Sequence, residues 1–225
     1  MRPAEVLSAS GASGASGERL RELRAWQAAR LASTYHDLLG DPECVDAVTF
    51  FLTDLYGPQE HTRRDQDLGR AWSVLSRTVP RAALGLLERA IELQTLTAQL
   101  DEAMVRQLAA GPVTWESYAA AYRAVGRPEA RRRQIELILT IAADLDRVVR
   151  HAWVALALRA ARVPARAAGF GALQDFLERG FAAFRRMKDA GRMLSAIRER
   201  EARLSAALFT GTTVPVHTEV VSAHD

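Results

Sequence analysis

P-R-A-A-L-G-L-L-E-R-A-I-E-L-Q-T-L-T-A-Q-L-D-E-A-M-V-R-Q-L-A-A-G-P, residues 80–112, is a run of strong helix formers opened by proline and closed by a Gly-Pro pair. Leu84, Leu86, Leu87, Ile91, Leu93, Leu100, Met104 and Leu108 do not share a narrow stripe but cover more than half of the helical circumference. A helix apolar on so many sides belongs inside a protein, with other helices around it.

The same punctuation recurs outward in both directions. Upstream, Leu20, Leu23, Leu31, Tyr35 and Leu38 form one stripe of a helix from about Glu18 to Leu39, stopped by Gly40. Asp41-Pro42 reads as an N-cap and first-turn proline for a helix through Tyr56, ended by Gly57-Pro58, and a third helix spans roughly Glu60–Arg77. Downstream, Thr114 caps a helix over Trp115–Val125 that Gly126 stops. Pro128 opens a long helix to about Arg162, near 50 Å at ~1.5 Å per residue and long enough to kink or break. Its apolar side carries Ile135, Leu139, Val149 and Trp153, with Asp146 among them and Arg150 one turn on as its expected partner.

Gly169 and Gly171 precede a helix whose apolar face is Leu173, Phe176, Leu177, Phe181, Phe184 and Met187. Gly180 sits within that face, which predicts a close helix crossing there. The last helix, about Ala190–Phe209, turns Met193, Ile197, Leu204 and Leu208 inward.

The expectation is an all-α, single-domain bundle of about eight helices over residues 18–209. Residues 1–17, with S-A-S-G-A-S-G-A-S-G at 8–17, read as a disordered Gly/Ser/Ala-rich tail, and 210–225 as a flexible C-terminal tail. A chain of 225 residues, 48% apolar, suffices for one sizeable core and is short for two.

Composition removes several classes of function. One cysteine, Cys44, leaves no intrachain disulfide and no cysteine zinc site. The N-terminus lacks a signal-peptide pattern, and the longest nearly uncharged apolar stretch, Ala152–Leu158, falls far below the ~20 residues of a membrane span. A cytoplasmic location is expected. Charge is uneven: residues 1–122 hold 12 basic and 16 acidic side chains, residues 123–203 hold 18 and 9. Such a basic half suits nucleic acid, an anionic membrane surface or an acidic partner, and equally solvent or the acidic half of its own chain.

F-F-L-T-D-L-Y-G-P-Q-E-H-T-R-R-D-Q-D-L, residues 50–68, is the most distinctive segment. With R-D-Q-D-L at its end and F-L-E-R-G-F-A-A-F-R-R-M at 176–187, the chain resembles a family of uncharacterised bacterial helical proteins over most of 18–209. That resemblance implies a helical fold and no activity. Physically, Asp54 is a carboxylate in the last turn of a helix, where the macrodipole disfavours it. Arg63 or Arg64, beyond the Gly-Pro corner, is its expected partner, and Asp54, Tyr56, Arg63, Arg64 and Asp65 form the candidate ligand site or structural corner.

Arg127, Arg131, Arg132 and Arg133 are the leading anion-binding candidates, with Arg185, Arg186, Lys188 and Arg192 second. Neither set comes with stacking aromatics or a groove-reading helix, so nucleic acid is not the favoured partner. Glu129–Arg133, Asp175–Arg179 and Glu199–Arg203 have the spacing of ordinary surface pairs. Glu88 and Glu92 lack the Glu-x-x-His companion of a di-metal bundle, so no metal is predicted. No cofactor is predicted either; haem through His36 has no second ligand to support it. Phosphate loops, nucleophile elbows and zinc-protease helices are missing. What remains first is an interaction or regulatory module that binds a protein partner or itself through a helix face. A small-molecule or enzymatic bundle with its pocket near Asp54, Arg64 and Asp65 comes second, and an anion or nucleic-acid site on the Arg127–Arg133 face third.

Overall fold

A computed structural model describes residues 14–55, 81–188 and 190–212. All the regular structure among them is helical. The elements are α1 (Gly14–Thr34), α2 (His36–Leu39), α3 (Val45–Phe50, continued by a π turn Phe51–Leu55), α4 (Arg81–Gln107), α5 (Trp115–Val125), α6 (Pro128–Val149), α7 (Ala152–Ala167), α8 (Gly171–Arg186) and α9 (Gly191–Thr210). The predicted helix over 60–77 and most of both predicted tails lie outside the described residues. At the N-terminal side, α1 begins one turn into the Gly/Ser/Ala stretch, ahead of the expected Glu18.

Helix α4 packs on α1, α5 and α6; α6 also packs on α8 and α9, and α8 on α3 and α7. Two apolar clusters result. One joins Leu38, Cys44, Val48, Phe50, Val149, Phe184, Met187 and Met193; the other joins Leu23, Met104, Val113, Tyr118, Tyr122, Leu204 and Leu208. Leu100 and Met104 are wholly buried, as the apolar breadth of α4 requires.

Several helix ends fall where their chemistry puts them. Thr114 accepts from the Ser117 amide at 3.3 Å while the Ser117 hydroxyl accepts from the Thr114 amide at 2.9 Å, so both free N–H groups are satisfied. Gly126, at φ +58°, closes α5 in the left-handed conformation that favours glycine.

Other ends are set by tertiary contacts, and here the structure departs from expectation. The first helix stops at Thr34 rather than Leu39, because Arg200 takes the Thr34 carbonyl at 2.7 Å and Tyr35 turns its hydroxyl to Glu201. Asp41 does not cap the next helix. Its Oδ1 accepts from the Glu43 amide two residues on, a local turn, and α3 starts at Val45. The long helix predicted from Pro128 breaks after Val149. Arg185 takes the freed Val149 carbonyl, Arg150 bridges Asp146 and the Met187 carbonyl, and His151 is extended. The Asp146–Arg150 pair, at 2.6 Å, is the one expected.

Gly180 fulfils its crossing with an unexpected partner. The Phe50 ring of α3, not a backbone, lies over it, and a Cβ there would stand 2.9 Å from Phe50 Cζ. Phe50 is itself wedged between Phe176 and Phe184, with ring centroids at 5.1 and 6.4 Å.

Part of the charge asymmetry is met inside the chain. Asp37, Asp41, Glu43, Asp46 and Asp54 pair, in that order, with Arg200, Arg192, Lys188, Arg186 and Arg179. The acidic stretch and the basic stretch run antiparallel, like the sides of a ladder. Two links run the other way, Arg30 to Glu201 and Arg89 to Asp144.

Candidate interaction surface

Helix α7, A-W-V-A-L-A-L-R-A-A-R-V-P-A-R-A, is apolar on two opposite sides. Val154, Leu158 and Ala161 turn toward the body and are half-buried. At helical spacing, Trp153, Leu156, Ala160 and Val163 fall on the reverse side, all exposed. Trp153 is 54%, Leu156 69% and Val163 76% exposed, and Leu177 of α8 43%; these four are the exposed large apolar side chains among the described residues. No residue of α7 is buried. Its arginines, Arg159, Arg162 and Arg166, gather on a third side, and scattered single exposures do not line up as the outer stripe does.

Polar contacts fix α7 by its inner edge. Gln174, itself 4% exposed, donates from Nε2 to the Leu158 carbonyl at 2.7 Å and to Glu178 Oε1 at 2.8 Å. Arg162 meets Glu178 with two bonds, 3.0 and 2.7 Å, and Arg166 meets Asp175 at 2.9 Å. The fork from Arg162, seconded by Gln174, lowers the Glu178 carboxyl from the ordinary 4.5 to about 2. Charge is thereby drawn to the α8 side, which leaves the outer stripe apolar.

The sequence signal for this surface was the uncharged stretch Ala152–Leu158. Placing Trp153 on the inner side of one long helix pointed it the wrong way, because the break at Arg150 and His151 resets the helical phase.

Asp54 pairs with Arg179 of α8, at 3.0 and 2.6 Å, and accepts from the Thr53 hydroxyl at 3.0 Å. Tyr56, Arg63, Arg64 and Asp65 lie outside the described residues. Asp175 and Arg179, expected to pair with each other, pair instead with Arg166 and Asp54. Arg127 stands exposed ahead of α6, Arg132 pairs with Glu129, and Arg133 forks onto Glu92 at 2.8 and 2.9 Å rather than onto Glu129. Arg131 is buried, 7% exposed. The four arginines therefore share a helix end without sharing a surface. The second basic set is engaged: Arg185 with the Val149 carbonyl, and the other three with the acidic ladder. Glu199 and Arg203 pair as their spacing predicts.

His36 is exposed at the start of α2. Cys44 is buried; burial first, and Asp41 next, push its thiol pKa up, against any lowering by the helix dipole. Among the described residues no three potential metal ligands cluster, and no helix is long and apolar enough to cross a membrane.

Comparison with curated proteins and with solved structures returns no match. A family model does match, over residues 8–215, and its breadth agrees with the resemblance read from the Phe50–Leu68 and Phe176–Met187 motifs. With nearly the whole chain covered, the protein belongs to the family described as Domain of unknown function (DUF8198).

Proposed function

We propose that residues 18–209 form one helical domain whose function is association, and that it docks through the outer face of α7 onto a second copy of itself. The observation that carries this reading is the line of Trp153, Leu156, Ala160 and Val163 on a helix with no buried residue. Two-fold dimers are the commonest assemblies, and their interfaces must be self-complementary. The α7 stripe has that property: Ala157 and Ala160 lie at its middle, where two helices can approach, with Leu156, Trp153 and Val163 flanking them. An antiparallel copy sets the Trp153 end of one helix against the Val163 end of the other.

Thiol chemistry tests it, because Cys44 is 2% exposed and its thiol is held protonated. Val163→Cys adds a single accessible thiol. Its reaction with a thiol reagent is expected to slow as protein concentration rises, and Ala120→Cys, at an exposed site on α5, is expected to react at one rate throughout. A Val163→Cys rate independent of concentration rejects self-docking through α7.

A further inference from the structure

Between α1, α2, α3, α4, α5, α6 and α9 lies a cavity of about 110 Å³, to which α7 contributes nothing. At ~10–15 Å³ for each water-sized sphere, it has room for a small organic molecule. One end is polar, with Arg30, Asp101, Arg131, Gln134 and Glu201; the other is apolar, with Leu38, Val48, Phe51, Leu52, Met193 and Ile197. The π turn after α3 helps to place Phe51 and Leu52 in that wall.

The two carboxylates of the polar end are each matched by an arginine. Glu201 Oε1 accepts from Arg30 at 2.6 Å and from the Tyr35 hydroxyl at 2.9 Å. Asp101, 2% exposed, accepts from Arg24 at 3.1 Å and Gln27 at 3.3 Å. Burial pushes the Asp101 carboxyl up, against the pull of Arg24.

Arg131 is the cation left over. Its Nη1 donates to Gln134 Oε1 at 3.2 Å, its guanidinium lies 4.5 Å from the Tyr122 ring centroid, and Gln134 in turn donates to Thr97 at 2.8 Å. Those partners are neutral; Asp101, already held by Arg24 and Gln27, acts on Arg131 only across space. Among the described residues no carboxylate comes within ion-pair distance, and its buried Nη2 has no acceptor. Arg30 Nε, also buried, lacks one too. A buried guanidinium with no carboxylate in contact is costly, and a buried N–H left without an acceptor calls for a partner.

We propose that this cavity is a binding site for a small organic monocarboxylate, its carboxylate held by Arg131 and its hydrocarbon part lying toward Met193 and Ile197. With Arg24 on Asp101 and Arg30 on Glu201, Arg131 is the one guanidinium with no carboxylate in contact, which calls for one negative charge. A dianion would meet Asp101 and Glu201 in the same wall, and an uncharged amide would leave Arg131 uncompensated. The apolar end excludes ligands that are polar throughout.

The test titrates the full-length protein with hexanoate, hexanamide and adipate at matched ionic strength, reading Tm and calorimetric binding. Hexanoate is expected to raise Tm saturably, and hexanamide and adipate are not. Arg131→Met is expected to weaken hexanoate on the order of tenfold or more, the worth of a lost charge-assisted hydrogen bond. Without ligand, the same variant is expected to keep or gain Tm, because an uncompensated buried charge has been removed. Arg131→Lys, which keeps the charge without the fork, is expected to bind hexanoate more weakly than wild type and more tightly than Arg131→Met. Wild-type protein that binds none of the three, or binds hexanamide as well as hexanoate, overturns the proposal. So does an Arg131→Met variant that loses Tm and binds hexanoate unchanged, since Arg131 is then structural.

Discussion

A single methyl group distinguishes Gly180 from alanine, and the Phe50 ring occupies the place that methyl would take. Alanine would gain up to about 1 kcal/mol of helix propensity and lose about 1–3 kcal/mol to overpacking, because Phe50 is 6% exposed and held by two other rings. Gly180→Ala is therefore expected to lower stability by about 1 kcal/mol in urea denaturation. Combining it with Phe50→Leu should cost less than the two single losses added together. Glycine on an apolar face was legible in the sequence; that a ring rather than a backbone fills the space was not, since it depends on where α3 ends. Arg131 was legible only as one arginine among four. Its burial comes from α5 and α4 on either side of it, a fact of assembly that no local spacing contains.

Helix ends divide into those written locally and those imposed. Thr114, Gly126 and Pro128 act on their own backbone, so sequence locates them. The breaks at Tyr35 and Arg150 have no glycine or proline to announce them; Arg200 and Arg185 reach across to the Thr34 and Val149 carbonyls, and Arg150 to the Met187 carbonyl at the end of α8. Spacing arithmetic failed at Asp175 and Arg179 for the same reason, each having a better-placed partner on another helix. The α7–α8 clamp makes a prediction about pH. The Glu178 carboxyl has its folded value, about 2, below the ordinary 4.5, so the pair's contribution is complete above about pH 4.5 and is lost as pH falls toward 2. The indole N–H signal of Trp153 is expected to shift across that window in NMR spectra. In Glu178→Gln the shift should be absent; an unchanged acid transition in that variant would assign it to another carboxyl.

Over the whole molecule, the acidic and basic halves are each other's counterpart along the ladder from Asp37–Arg200 to Asp54–Arg179. Exposed pairs of this kind contribute roughly 0.2–1 kcal/mol each, enough to fix how α8 and α9 lie against α2 and α3 but not to drive folding. Asp46→Asn, which frees Arg186, is expected to leave the urea midpoint almost unmoved, and a large drop would give that pair a larger part than its exposure allows. With the ladder charges engaged internally, the exposed apolar feature among the described residues is the outer side of α7. Sedimentation equilibrium of the unmodified chain addresses its covering directly. The expected result is a mass twice the 24.7 kDa of one chain, reverting to 24.7 kDa in the Leu156→Glu, Val163→Glu double variant with its helix content unchanged. Unmodified protein that sediments as a 24.7 kDa monomer at every concentration tested would contradict it.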